Sequence, residues 1–192
     1  MRRLLLIFAT LMFAHTLYAQ ELESVRKKTD YWGDTEIVVS ERHSGEIYVA
    51  TIHKADYWGE VRIDYDNRSL GRAGYSIVKK MDYWGEVRIE HYRDSGSRDG
   101  YSLIKKPDYW GVVEVQHFDS RSNKVAVSKC KKPNYWGEIE VEHYNGHGSR
   151  VGLSTIKKTD YWGEQKTIHT FDNEWSTDCI ALLYIFTMEY VK

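Results

Sequence analysis

Apolar and polar positions alternate after the four central copies of a recurring Asp-Tyr-Trp-Gly word, one of which begins with Asn. One face reads Val61, Ile63 and Tyr65, then Val87, Ile89 and His91, then Val113, Val115 and His117, then Ile139, Val141 and His143. Between them stand Arg62 and Asp64, Arg88 and Glu90, Glu114 and Gln116, and Glu140 and Glu142. A period of two with one apolar face predicts a half-buried β-strand. Stretches such as "RDSGSRD" (93–99) and "NGHGSRV" (145–151) follow, and their Gly, Ser, Asp and Asn content predicts loops. A second short strand comes next: "YSIV" (75–78), "YSLI" (101–104) and "LSTI" (153–156). Each unit is therefore strand, loop, strand, and then a junction into the next unit.

The junction returns at a fixed interval. Its first residue is Asp30, Asp56, Asp82, Asp108, Asn134 and Asp160, 26 residues apart throughout. A period of this length marks units that bury their apolar faces against one another. The expected fold is all-β: a six-fold strand-loop-strand repeat forming a closed or coiled sheet. At each junction the chain must turn. Gly59, Gly85, Gly111 and Gly137 supply the backbone freedom, with positive φ expected, and the preceding Asp is placed to accept backbone N–H groups two residues on. Lys28, Lys54, Lys80, Lys106, Lys132 and Lys158 each stand two residues before the word, which makes a Lys–Asp ladder an option. Tyr and Trp are expected to be the apolar payload of the repeat, inside the core.

The strings "KKTDYWGDTEIVV" (27–39) and "KADYWGEVRIDY" (54–65) resemble the Asp-Tyr-x-Gly-acidic repeat of the septoil-knot family of small, often exported bacterial β proteins. The unit here is longer, and pairs such as Val61-Arg62 follow the acidic residue. The resemblance covers the repeat region and implies a knotted winding and a structural or interaction role without assigned activity. A plain meander stays the default topology.

The ends lie outside the repeat. Arg2 and Arg3 precede the apolar stretch 4–13, and Ala19 offers a small residue before a cut, the layout of a secretory signal peptide. The expected division is a signal peptide over 1–19, cleaved after Ala19, a β-repeat domain over 20–174 and a capping segment over 175–192. That last segment includes "CIALLYIFTMEYV" (179–191), too short to span a bilayer as a helix, so no transmembrane span is expected after cleavage. The expected location is secreted, periplasmic or in the cell envelope. Without Arg2 and Arg3 the chain carries 25 basic and 28 acidic residues, a formal charge of −3. That balance excludes the basic footprint of a nucleic-acid binder. Cys130 sits in a column with Ile52, Val78, Ile104 and Ile156 and reads as a buried apolar residue; its pairing with Cys179 stays open.

Three function classes compete. The first is a binding module for glycans or another envelope polymer, with Trp58, Trp84, Trp110 and Trp136 as stacking platforms and Asp56, Asp82 and Asp108 accepting sugar hydroxyls; repeated weak sites suit a repetitive ligand. The second is a metal site from His91, His117, His143 and His169. Equivalent residues of neighbouring hairpins lie about 9.6 Å apart, too far for one ion, so a histidine hydrogen-bonded at the core's rim is the expectation. The third is an enzyme. Catalysis needs unlike groups converging once, whereas nearly every polar residue here belongs to a repeated column, and Ser76, Ser102, Ser128 and Ser154 read as small packing residues. The sequence reading is thus a non-enzymatic exported protein, with no cofactor implied.

Overall fold

The computed structural model describes residues 20–41, 45–68 and 71–172. The expected signal peptide, the capping segment and Cys179 lie outside the described residues. Twelve antiparallel strands follow one another: β1 (Gln20–Arg26), β2 (Thr35–Glu41), β3 (Gly45–Ile52), β4 (Val61–Asn67), β5 (Gly71–Val78), β6 (Val87–Arg93), β7 (Arg98–Ile104), β8 (Val113–Asp119), β9 (Lys124–Cys130), β10 (Ile139–Asn145), β11 (Arg150–Ile156) and β12 (Gln165–Phe171). Every strand pairs with its sequence neighbours, and β1 pairs with β12 from Gln20↔Phe171 to Arg26↔Gln165. The sheet is a closed barrel wound as a plain meander, which leaves no free strand edge.

Closure follows from a stagger built into each unit. Ile63 faces Ser76 across β4 and β5, and Ser76 faces His91 across β5 and β6. His91 stands two residues beyond Ile89, the equivalent of Ile63, so each repeat advances the register by the same step. A uniform stagger of this kind tilts the strands and lets a sheet meet itself. The segments read as seven-residue loops are shorter in the structure. Strand β7 already begins at Arg98, and the register shifts between His91 and Tyr92, with the same bulge between His117 and Phe118 and between His143 and Tyr144. Such bulges bend the strand and raise its twist, as a curved wall requires.

The alternation lies as the pattern predicts. Ile37, Ile63, Ile89, Val115 and Val141 are buried inside, as are Val78, Ile104, Cys130 and Ile156 of the neighbouring strands. Burial also raises the Cys130 thiol pKa to about 11, so it stays a protonated, apolar filler. Small residues make room where strands crowd: a Cβ at Gly100 would collide with the Phe118 carbonyl oxygen. Outside, Arg62 lies over the Tyr75 ring and Arg88 over Tyr101, while Tyr75 stacks on Tyr92 and Tyr101 on Phe118 across strands. A lipid-facing wall would bury these arginines and the neighbouring Asp64, Glu90, Glu114 and Glu140 in hydrocarbon, at up to about 2–4 kcal/mol for each Arg. The wall is built for water.

All six Asp-Tyr-Trp-Gly junctions connect an odd-numbered strand to the next even one, so they gather at one end of the barrel. The opposite end carries the shorter hairpin turns and the points where β1 starts and β12 stops.

Candidate functional site: an aromatic crown

Each junction is organised by its first residue. Asp56 Oδ1 accepts the backbone N–H of Trp58 at 2.9 Å and of Glu60 at 2.8 Å, and the Gly59 N–H donates to the Asp56 carbonyl at 3.1 Å. The same bonds recur at Asp82, Asp108 and Asp160, and at Asn134 through its amide oxygen. Asn serves as well as Asp because the turn needs an oxygen acceptor and not a charge. Asp56, Asp82 and Asp108, named above as acceptors of sugar hydroxyls, each give Oδ1 to the backbone. The glycine then turns the chain, with φ of +81° at Gly59 and +74° at Gly111. Any L side chain is strained there.

The lysine column does not form the Lys–Asp ladder suggested by its spacing but joins the junctions to one another. The methylene stem of Lys54 lies over Gly33, Lys80 over Gly59, Lys106 over Gly85, Lys132 over Gly111 and Lys158 over Gly137; Lys28 lies over Gly163 and closes the circle. The preceding lysines add cross-junction ion pairs: Lys79 to Glu60 at 3.1 Å, Lys105 to Glu86 at 2.8 Å and Lys157 to Glu138 at 2.7 Å. Each pair is partly exposed and contributes about 0–1 kcal/mol. Together with the lysine stems they hold neighbouring turns in fixed register.

The rings of the word point away from the core. Trp58, Trp84, Trp110 and Trp136 are 73–75% exposed, and the adjacent tyrosines are exposed by more than nine-tenths. This corrects the expectation that Trp lines the core. The glycine does bend the chain, but the turn lies beyond the barrel's end, where no facing strand exists among the described residues to cover a ring, and the inward positions are already taken by β-branched, Ser and His side chains. Within each junction the Tyr and Trp rings meet edge to face, with centroids 5.3–5.5 Å apart and planes 84–86° apart. Trp32 and Trp162 complete a set of six, so twelve large aromatic rings circle one end. So much exposed aromatic surface at one end is unusual on a chain without a partner for it.

The histidines lie elsewhere and do something different. His91, His117, His143 and His169 are 0–4% exposed, well inside the barrel and not at its rim as expected. Ser hydroxyls alternate with them around the wall. Ser76 Oγ stands 2.7 Å from His91 Nδ1, and His91 Nε2 stands 2.8 Å from Ser102 Oγ. The pattern continues through His117, Ser128, His143, Ser154 and His169 to Ser24, with Tyr65 donating its phenol proton to Ser76 at the other end. Burial lowers the imidazole pKa to about 4 at His91 and about 3 at His117 and His169, and holds His143 well below its ordinary value. All four are therefore neutral at pH 7. Among the described residues no group of three or more His, Cys, Asp or Glu is placed to hold a metal ion. The serines, read as packing residues, are also the hydrogen-bond partners of the histidines. The signal was present in the two inward-facing columns; what was missing was the register that sets Ser76 opposite His91.

Compared with known proteins, the chain matches no family model, no curated protein and no solved structure, so its function has to be read from the crown and the barrel that carries it.

Proposed function

We propose that the chain is an exported, non-enzymatic interaction protein whose binding face is the crown, and whose ligand is a glycan or similar envelope polymer. The observation that carries this reading is the set of six Tyr–Trp pairs, their indoles 73–78% exposed, on turns whose backbone is already fixed by Asx bonds and αL glycines. Rings held in place before binding lose little entropy when a ligand stacks on them. Ser–His contacts of 2.7–2.9 Å, with His117 to Ser128 longer at 3.4 Å, have the spacing of a nucleophile and its base, yet these pairs are sealed inside and both nitrogens of each ring already face hydroxyls, so they support a structural role over catalysis. Export rests on the layout of residues 1–19.

The test is co-sedimentation with insoluble cellulose, chitin and peptidoglycan, comparing the native chain with the variant in which all six crown indoles, Trp32, Trp58, Trp84, Trp110, Trp136 and Trp162, are replaced by Ala. The native chain should sediment with at least one polymer, and the variant should stay in solution with an unchanged melting curve. A native chain that sediments with none of them, or a variant that sediments equally well, would refute the reading.

A further inference from the structure

The barrel is wider than its own side chains fill. Twelve strands spaced about 4.8 Å apart and tilted by about 35–45° close into a wall roughly 22–26 Å across. Sheets packed face to face stand about 10 Å apart, so each inward layer of side chains takes about 5 Å and a lumen roughly 12–16 Å wide remains. A barrel of about eight strands, by contrast, is just filled by its own side chains. The buried apolar residues reflect the gap: Cys130, Val141 and Ile156 form a group apart from the one around Ile37, Ile63 and Ile89 and do not meet it in one centre. Yet the lining is dry. Ile63, Ile89, Val115 and Val141 are 0–1% exposed. An open lumen of this width would wet them, and all twelve described strands belong to the wall.

We propose that the lumen is the docking site of the chain's own C-terminal segment, residues 173–192, with its apolar run laid along the barrel axis. The proposal is independent of what the crown binds. Strand β12 stops at Phe171, which is fully buried, and the Asp172 N–H donates to the Val151 carbonyl at 3.0 Å, so the chain leaves the wall at the mouth opposite the crown. Closure of β1 against β12 leaves no sheet edge for a further strand to join. The run "CIALLYIFTMEYV" (179–191) therefore needs another place to leave water.

Size and chemistry agree with that placement. Coiled as a helix, a run of this length would be about 20 Å long and about 10–12 Å across. Strands of seven residues at the tilt above make a wall about 16–19 Å deep. The lining makes little polar demand on an occupant, because its serines and histidines bond to one another around the wall. The only charge in the run, Glu189, comes near its end, where the crown opening lies. The stretch before Gln20 is also apolar and adjoins the same mouth, but its signal-peptide layout marks it for removal.

The test is nuclear Overhauser contact in the full chain, with the methyl groups of Ile, Leu and Val labelled. Ile63 on β4 and Val141 on β10 lie on opposite sides of the barrel, both facing inward, so only an occupant of the lumen reaches both. Leu182, Leu183 and Ile185 should between them show cross-peaks to both. Contacts from these three only to the outward-facing Ile77, Leu103 or Leu153, or to no wall methyl, would overturn the proposal. So would contacts to the lining from Leu4, Leu5 and Leu6 in their place. A chain ending at Asp172 gives a second reading: it should melt at a lower temperature, or take up more of the apolar dye Nile red than the full chain, with a synthetic 173–192 peptide displacing the dye. A shortened chain with the native melting curve and no added dye would overturn the proposal, and dye that the peptide fails to displace would assign the lumen to an outside apolar ligand instead.

Discussion

Lowering the pH from 7 to 5 should strongly destabilise the barrel, and the buried histidines set the size of the effect. Above pH 6.5 the imidazoles of His91, His117, His143 and His169 are neutral in both the folded and the unfolded chain, and they add no pH dependence. Below 6.5 the unfolded chain binds a proton at each, while the folded barrel refuses it until about pH 4 at His91 and about pH 3 at His117 and His169, with His143 also held well below its ordinary value. Stability is therefore greatest above pH 6.5 and falls as the pH drops toward the folded values. Each group removes about 1.4 kcal/mol per pH unit over that window. His91, His117 and His169 together remove about 6 kcal/mol across one and a half units by pH 5, and His143 adds to the loss in the same direction, against a whole margin of about 5–15 kcal/mol for a typical domain. The measurement is urea unfolding followed by far-ultraviolet circular dichroism at steps from pH 7 to 5, a window above the ordinary carboxylate range. His117→Gln keeps a donor and an acceptor toward Ser102 and Ser128 but cannot titrate, so it should flatten the slope by one proton's worth. A native chain whose stability is unchanged between pH 7 and 5, or a His117→Gln slope equal to the native one, would refute the reasoning.

Three further outcomes are expected. Trp110→Ala should change stability by about 0.5 kcal/mol or less, because the ring is 74% exposed; a loss near the roughly 3–5 kcal/mol of a buried aromatic would place it in the core after all. Gly111→Val should lower the thermal midpoint, at a cost of about 1–3 kcal/mol, since φ is +74° and a Cβ would run into the Lys132 side chain; an unshifted melt would contradict the turn. Because the Tyr65 phenol donates to Ser76, Ser76 in turn donates to His91 Nδ1, and the same direction propagates along the chain to Ser24. Nitrogen chemical shifts should then report the Nε2–H tautomer at all four histidines, and a majority of Nδ1–H rings would refute that polarity.

Much of the fold was legible because its signals are local and repeated. The period of 26 residues, the two-residue alternation and the glycine at each junction depend on nearest neighbours, and six copies averaged out the noise. The Asx turn was readable for the same reason. Two features were not readable. The first was the fate of Trp: an apolar ring signals burial only where a facing element exists, and whether the junction lies inside or beyond the wall depends on closure of all twelve strands. The second was the Ser–His chain. Ser76 and His91 are 15 residues apart and meet only through the register between β5 and β6. Each column looked like packing by itself; only their alternation around the wall sets a hydroxyl against each imidazole nitrogen.

That alternation also explains how one repeat can expose so much aromatic surface and remain a barrel. Hydrophobic stabilisation is supplied inside by Ile63, Ile89, Val115 and Val141 and their neighbours, and the crown's rings take no part in it. The junction backbone is fixed by its own Asp or Asn, its glycine and the lysine stem of the next unit. Residues at the two tips of Tyr–Trp are consequently free of folding constraints, while the six turns are bound tightly to one another. A closed ring of repeats thus gives a single chain the multiplicity that other proteins reach by assembling subunits, at spacings set by the sheet and not by a flexible linker. The separation has a consequence for variants. Substitutions inside the wall should change stability and leave the proposed binding face intact per folded molecule, and substitutions at the tips should do the reverse. A tip substitution that unfolded the barrel, or a wall substitution that altered affinity without altering stability, would show that the two are coupled.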